Sequence, residues 1–130
     1  MNDFSKALDV TVSGLKAQSQ RLRHVSENIA NSDTPGYRRK TVSFESEYQA
    51  GSGVSRVETG RVRLDQTELE RVFDPSHPLA DESGHYQGSN VNLLIEVADA
   101  REAQRSYEAN LKMFEQARQM SSDLMSLLQK

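Results

Sequence analysis

The sequence predicts a mainly α-helical fold in which two long terminal helices flank a β-rich or extended middle segment. Residues 3–31 carry a seven-residue apolar repeat, and residues 91–128 contain no Gly and no Pro. The segment between them has no helical period. We expect residues 1–36 and 89–130 to form one domain, with residues 37–88 as the middle segment.

The first helix is predicted from a heptad pattern whose first positions are apolar and whose second positions are mixed. The first positions are Leu8, Leu15, Leu22 and Ile29, and the second positions are Phe4, Thr11, Gln18 and Val25. Gly14 weakens this helix by about 1 kcal/mol relative to Ala. The sequence Thr34-Pro35-Gly36 predicts a type II turn after it, because Pro and Gly suit the two central positions.

The middle segment is predicted to be a hairpin or two extended arms. Apolar and polar residues alternate in residues 42–48 and again in residues 61–65, as in half-buried strands. Residues 68–71 are expected to form a short helical turn. Residues 73–78 are expected to be extended, because each of the two prolines there restricts the residue before it.

The second helix is predicted over residues 91–128, with Asn90 or Asn92 as its N-cap. Its apolar stripe recurs at spacings of three and four residues. The members expected to pack are Tyr107, Leu111, Phe114, Leu124 and Leu128. At about 1.5 Å per residue, the first and second helices would be roughly 45 and 55 Å long.

The core is expected to be completed by neighbouring chains. Hydrophobic residues make up 35% of the sequence, there is no Trp, and the apolar stripes are interrupted by polar residues such as Gln18 and Asn110. Two such helices can pair and still leave apolar positions uncovered. The alternative is a self-contained two-helix hairpin with a loop insertion.

Composition excludes several classes of site. The chain has no Cys, which removes disulfides and cysteine nucleophiles together. Its formal net charge is −3, whereas a nucleic-acid-binding protein usually has a basic face and a high isoelectric point. One local basic cluster is expected to be a solvated surface or a protein contact. It consists of Arg21, Arg23, Arg38, Arg39 and Lys40.

The spacing of reactive residues predicts no active site. His77 and His85 have carboxylates nearby but no fixed metal-ligand spacing. The glycines form no phosphate-binding motif. No apolar run approaches the roughly 20 residues needed to span a bilayer, and residues 1–4 lack the features of a cleavable secretory signal. We therefore expect no enzyme, no cofactor, no metal, no small-molecule substrate and no membrane span.

Motifs at both ends carry a resemblance to a known family. Ser26–Asn31 contains NIAN and is followed by TPGY at residues 34–37, while residues 89–97 and 103–110 form a second signature. Together they resemble the terminal signatures of the flagellar axial family, which includes rod, hook and hook-associated proteins. The terminal motif residues are Asn28, Ala30, Asn31, Pro35, Gly36, Tyr37, Asn90, Val91, Glu96, Arg105 and Asn110.

The middle of the chain favours one rod protein within that family. Residues 72–84 are similar to a stretch typical of that protein, and the short chain fits a rod protein rather than a hook protein. The motif residues there are Asp74, Pro75, His77, Pro78 and Asp81. The alternatives are another rod protein of the same family and, from a different class, a soluble helical adaptor.

The resemblance implies that the terminal helices pair as an antiparallel coiled coil lining a tube. The subunit would be exported without a cleavable signal and would fold on the proximal rod in the periplasm. It would assemble helically, transmit torque and enclose the export channel. The implied partners are proximal and distal rod subunits, copies of itself, and export-gate and basal-body proteins, with no nucleic acid.

The implied assembly suggests roles for individual segments. The heptad positions Leu8 to Ile29 are expected to pack against the stripe Phe114–Leu128. Asn28, Asn31 and Tyr37 are expected to shape the exit from the first helix. Residues 74–84 are expected to form an extended arm between subunits.

Overall fold

Helices dominate the part of the chain that the computed structural model describes, which is residues 2–51 and 53–129. Helix α1 spans Asn2–Ala30 and helix α2 spans Leu93–Leu128. Both bounds agree with the predicted helices to within two residues at each end. The mainly helical fold class is therefore confirmed, while residues 1 and 130, the outer limits of the expected domain, lie outside the described residues.

The two helices pack antiparallel along their length. Near the end of α1, the Asn28 amide donates a hydrogen bond of 3.3 Å to Glu96, in the first turn of α2. Further along, a Cβ atom added at Gly14 would lie 2.9 Å from the side-chain amide of Asn110. Gly14 therefore lies close against Asn110 of α2, and the antiparallel pairing is confirmed.

The seam between the helices is lined by small and polar residues rather than by the heptad leucines. The buried α1 residues are Thr11, Gly14, Ala17, Val25 and Asn28. Leu8, Leu15 and Leu22 lie half-buried beside this seam, and Ile29 is 39% exposed. Thr11 and Val25 are predicted second positions and are buried as that pattern requires, whereas Gly14 and Asn28 are buried in place of the predicted first positions Leu15 and Ile29. Small side chains let two helix backbones approach closely, so one half of the predicted seam is displaced by one residue.

The antiparallel register also corrects the expected partners of the heptad residues. Arg21 bonds Asp99 and Glu102, and Asn28 bonds Glu96. Leu22 and Ile29 therefore lie opposite the first part of α2. The expectation that they pack against Phe114–Leu128 was wrong, because that stretch faces the other end of α1.

The middle segment consists of short antiparallel ladders. The strands are β1 Lys40–Thr41, β2 Phe44–Gln49, β3 Val54–Thr59, β4 Arg63–Leu64, β5 Arg71–Phe73 and β6 His85–Gln87. Within the described residues, β2 pairs with β3, β1 with β4, and β5 with β6. The longest ladder runs from Phe44 opposite Thr59 to the turn that contains Gly53, whose φ of 68° favours glycine.

The middle segment contains a hairpin, β2–β3, as one of the two predicted alternatives required, but two details of the prediction were wrong. The strand near residues 42–48 is β2, which pairs antiparallel with β3, and only Arg63–Leu64 of residues 61–65 forms a strand. No helical turn forms at residues 68–71, because Glu70 exchanges backbone hydrogen bonds with Ser89 and Gly88 at 3.2 and 2.7 Å.

The β2–β3 hairpin packs on a second face of α1. The amide of Val57 donates to the Ser13 hydroxyl at 3.1 Å, and Arg56 contacts Asp9 at 3.4 Å. One face of α1 therefore contacts α2 and another contacts the hairpin, whereas α2 contacts mainly α1.

The turns and caps that position both helices follow local chemistry. The amide of Tyr37 donates to the Thr34 carbonyl at 3.1 Å and Gly36 has φ 76°, which confirms the predicted type II turn. Of the two predicted caps, Asn92 begins α2, since its side-chain oxygen accepts from the amide of Leu94 at 3.0 Å.

Substitution of Gly14 tests the close approach of the helices. We expect Gly14→Leu to lower the free energy of unfolding by about 2 kcal/mol, because the side chain must displace Asn110 and separate the helices. The measurement is urea unfolding followed by circular dichroism at 222 nm, at a chain concentration high enough for the helices to be fully formed. Ser19→Leu, at an exposed position of the same helix, is the control; equal effects of the two substitutions would contradict the close approach.

Candidate functional site: a polar junction and exposed apolar surfaces

A buried polar junction joins the end of α1 to the start of α2. Asn28 and Glu96 are both 0% exposed. The Asn28 amide donates to the Lys40 carbonyl at 2.9 Å and to Glu96, while its oxygen accepts from the Lys40 amide at 2.9 Å and from the Tyr37 hydroxyl at 2.8 Å. These four bonds use the whole capacity of one Asn side chain, so Asn28 holds the chain after α1 against both helices.

Ion pairs extend the junction along the seam. The Arg39 guanidinium donates to Glu96 and, at 2.6 Å, to Asp99. Arg21 reaches Asp99 at 3.5 Å and Glu102 at 3.3 Å. Burial by itself disfavours the charged guanidinium, but hydrogen bonding and charge from Glu96 and Asp99 outweigh it and raise the pKa of Arg39. The buried Glu96 carboxylate is thus paired with an Arg39 guanidinium that stays protonated at all ordinary pH values.

Neighbouring groups secure the segment that carries Arg39. Desolvation by burial raises the pKa of the Tyr37 phenol, which keeps it protonated as a donor. Lys40 and Glu27 bond at 2.8 Å; this bond lowers the pKa of Glu27 and raises that of Lys40. Asn90 is not the helix cap: its oxygen accepts from the Arg39 amide at 2.6 Å, and its nitrogen donates to the Asp65 carbonyl at 2.9 Å.

The structure brings most terminal motif residues to this junction. Asn31 accepts a bond from Thr34 at 3.1 Å, and the Gly36 amide donates to the Gly88 carbonyl at 3.0 Å. Asn28, Asn31 and Tyr37 all lie at the exit from α1. The motif residues at or beside the junction are Asn28, Asn31, Pro35, Gly36, Tyr37, Asn90 and Glu96, and Ala30 and Val91 are next to them in sequence. The other two motif residues lie further along α2, where Asn110 is close to Gly14 and Arg105 is exposed.

Sequence reasoning missed the ionic part of the junction. Three residues of the basic cluster, Arg21, Arg39 and Lys40, form ion pairs within the chain rather than facing only solvent or a partner. The available signal was an acidic row at a spacing of three on α2, namely Glu96, Asp99 and Glu102. Residues three apart share a helix face, so that row could have been matched to the basic cluster.

The loop between β5 and β6 is folded on itself, which corrects the expected extended arm. The His77 amide donates to the Asp74 carbonyl at 3.0 Å, and the Ala80 amide donates to the His77 carbonyl at 3.0 Å. The His77 ring stacks on Tyr86 with centroids 3.9 Å apart. Pro75 and Pro78 fit these consecutive turns because proline presets the φ that a turn requires.

The expected packing residues of α2 are only partly covered. Tyr107, Phe114 and Leu124 are half-buried, whereas Leu111 is 37% and Leu128 is 70% exposed. Among the described residues of α2, only Glu96 and Ala103 are buried. Further exposed apolar side chains on this helix are Leu93, Leu94, Ile95, Val97, Met113, Met120, Met125 and Leu127.

The exposed area of the chain is large for its mass. The accessible surface is 9271 Å² for 14.6 kDa, whereas a globular monomer of this mass exposes about 6,900 Å². Large exposed apolar surfaces mark protein–protein contacts.

Across residues 2–51 and 53–129, no group of three or more His, Asp or Glu is arranged to hold a metal, and no helix is long and apolar enough to cross a membrane.

Comparison with known proteins agrees with these features. Residues 8–38 match the family model "Flagella basal body rod protein", and residues 82–127 match "Flagellar basal body rod FlgEFG protein C-terminal". The flagellar basal-body rod protein FlgC of Agrobacterium fabrum is 47% identical over 135 residues, covering 98% of this chain and 97% of the relative. The chain belongs to the FlgC family.

More distant FlgC proteins align over most of the chain as well. The FlgC of Salmonella typhimurium is 32% identical and covers 92% of this chain, with 93% of the relative aligned. The FlgC of Bacillus subtilis is 33% identical over 81% of this chain and 85% of the relative. The chain is therefore a structural subunit of the flagellar basal-body rod, and the preference for this rod protein within the axial family is confirmed.

Removal of the buried carboxylate tests the junction of this FlgC-family subunit. We expect Glu96→Ala to lower the free energy of unfolding by about 3 kcal/mol, because it leaves the Arg39 charge largely buried and unpaired. Glu102→Ala is the matched control, since the Glu102 side chain is 69% exposed and its pair with Arg21 is worth less than about 1 kcal/mol. Urea unfolding at a chain concentration where the helices are fully formed measures both, and similar losses would contradict a dominant role for Glu96.

Acidification tests the loop between β5 and β6. The Ser83 hydroxyl and the His85 amide bond the Asp81 carboxylate at 2.6 and 3.0 Å and lower its pKa. A lowered folded-state pKa stabilises the loop at neutral pH, and this contribution is lost as pH falls through that pKa. We expect the amides of Ser83 and His85 to lose protection from hydrogen exchange below about pH 4.

Substitutions at adjacent positions separate this effect from general acid unfolding. Asp81→Ala should remove the protection of the Ser83 and His85 amides already at neutral pH, because the acceptor is gone. Glu82→Gln, at the exposed neighbouring position, should behave like the unmodified chain. Protection that persists in Asp81→Ala would show that the carboxylate does not hold the loop.

Proposed function

We propose that the chain is a subunit of the proximal rod that assembles helically with its own copies and with other rod proteins. In this role its paired helices enclose the export channel and transmit torque. The observation that carries the proposal is the incomplete cover of α2, which has 36 residues and only two buried positions among those described. An element of this kind gains its remaining cover from neighbouring subunits.

Exposed apolar residues at both ends of the helix pair support the proposal that the subunit has lateral and axial neighbours. At the junction end, Leu93 and Leu94 are 51% and 80% exposed. At the opposite end, Met120 and Leu127 are 58% and 66% exposed. Surfaces that differ from one another on one subunit form heterologous contacts, which generate an open helical tube when the rotation does not close.

The small core supports folding that is coupled to assembly. The buried apolar residues among those described are Ala17, Val25 and Ala103. Burying a side chain such as Leu or Val yields about 1.5–3 kcal/mol, and alanines yield less, so the isolated chain gains little against its conformational entropy. A marginal monomer is compatible with export in an unfolded state, without a cleavable signal, followed by folding in the periplasm.

The proposal also names the proteins that the subunit would contact. We expect contacts with proximal and distal rod proteins and with export-gate and basal-body proteins. The heptad leucines Leu8, Leu15 and Leu22 and the exposed Ile29 would gain cover on assembly, as would Leu111 and Leu128. The polar junction would keep the two helices of each subunit in register while these contacts form.

Circular dichroism across a concentration series tests the coupling. We expect low helicity in the dilute chain and a rise in helicity as the chain associates, because neighbouring subunits supply the missing cover. Heteronuclear NMR of the dilute chain should show poorly dispersed amide signals. A cooperative, fully helical monomer at low concentration would overturn folding on the rod.

Adjacent substitutions at the end of α2 test the assembly surface in cells. Leu127→Asp should abolish motility and rod formation, because it places a charge on an apolar contact. Ser126→Asp adds the same charge at the adjacent exposed residue and should leave motility largely intact. Electron microscopy of isolated basal bodies distinguishes a missing rod from a downstream defect, and normal rods in Leu127→Asp cells would contradict the assigned surface.

A further inference from the structure

The β5–β6 loop is a preorganised projection. Asp74 accepts from the amide and hydroxyl of Ser76 at 3.2 and 2.7 Å, and Asp81 does the same for Ser83. Gly84, with φ 81°, is buried against Phe73 and Pro75, where an added Cβ would lie 2.9 Å from the Phe73 ring. A loop ordered by its own bonds loses little entropy when it binds a partner.

The surface of this loop is both apolar and acidic. Phe73 is 66% and Leu79 is 64% exposed. The loop contains Asp74, Asp81 and Glu82 and no Lys or Arg, while Arg71 in β5 reaches the Ser83 hydroxyl at 3.4 Å. Three carboxylates beside one arginine leave this surface acidic. We name residues 73–84 the acidic loop. Its partner should offer an apolar surface next to positive charge.

A surface of that chemistry lies on α2 of the same chain. Leu94, Val97 and Ala98 line a shallow depression together with Arg101, Arg105 and the acidic Glu102. Leu94 is 80% and Val97 is 44% exposed. We name this depression the basic shelf, since two arginines and one carboxylate line it.

The arginines of the basic shelf are available to a partner. Among the described residues, neither Arg101 nor Arg105 forms an ion pair, whereas Arg21, Arg39, Lys40 and Arg56 do. Glu102 also lines the shelf and lies 3.3 Å from Arg21. The shelf therefore carries two positive charges and one negative charge, and its net charge is positive.

We propose that the acidic loop of one copy docks on the basic shelf of a second copy. Leu79 and Phe73 would cover Leu94 and Val97, and Glu82 would face Arg101 or Arg105. Within one chain the loop lies beside Pro35 and Gly36, which line a depression with Leu79 and Asp81, and none of the shelf residues lines that depression. The second copy is therefore the occupant that charge complementarity and position favour.

The two surfaces differ, so the contact is heterologous and can repeat without closing. This inference rests on the proposed function, because it specifies one contact between copies within the rod. It adds that identical subunits touch directly through the middle segment, in addition to contacts of the terminal helices.

Disulfide trapping tests the contact cleanly because the chain has no Cys. Two variants, Leu79→Cys and Val97→Cys, are produced together in cells that lack the unmodified chain, and basal bodies are isolated after mild oxidation. We expect a product of twice the subunit mass, whose digestion yields a peptide linking residues 79 and 97. Val12→Cys replaces Val97→Cys as the matched control, since Val12 is 47% exposed and lies on α1.

Charge reversal supplies a second readout. Glu82→Arg should reduce the yield of the 79–97 link by about twofold to fivefold, as expected for one exposed charge pair. Combining it with Arg101→Glu and Arg105→Glu should restore the yield. Glu82 is suitable because Asp74 and Asp81 organise the loop itself.

The outcomes separate this inference from the proposed function. Motile cells that contain rods but give no 79–97 link, or a Val12 link of equal yield, overturn the inference and leave the proposed function standing. A link from residue 79 to a different rod protein also overturns it. If the cysteine variants block rod assembly, the purified full chain is oxidised at concentrations where it associates, and absence of the link there is equally decisive.

Discussion

The burial of one carboxylate, Glu96, constrains the rest of the structure. A buried charge is costly unless it is paired and hydrogen-bonded. Glu96 receives that pairing only when Asn28 of α1 and Arg39 of the following segment are both in place. The register of α1 against α2 and the path of the chain after α1 are therefore set by the same requirement. Because a buried ion pair often adds little net stability, we infer that this pair mainly sets the register of the helices.

Close approach of the helices has a consequence for the outer surface. Gly14, Ala17 and Ala103 occupy the seam because they allow the backbones to come together. The larger apolar side chains of both helices are displaced to the flanks, where they remain half-buried or exposed. Small residues therefore lie between the helices, and large apolar residues lie on the surface of the subunit. This arrangement suits a subunit within an assembly.

Membership of the FlgC family gives these features a common meaning. A rod subunit requires a reproducible internal geometry and a surface that is stabilised by its neighbours. The polar junction meets the first requirement, since it specifies one register with few apolar contacts. The requirement for a surface that neighbours stabilise is addressed by three features: the exposed surface of α2, the acidic loop and the basic shelf.

The sequence by itself determined both helices, the type II turn after α1, the N-cap at Asn92 as one of two candidates, and the family. Each of these depends on local chemistry or on motifs read in order along the chain. The phase of the seam, the β2–β3 pairing and the turns around Pro75 and Pro78 were decided by the tertiary structure. The heptad pattern placed Thr11 and Val25 in the seam correctly, but the close approach at Gly14 put Gly14 and Asn28 there instead of Leu15 and Ile29. The ion pairs of Arg39 join residues 57 and 60 positions apart in the chain, so only the packed helices could bring their charges together.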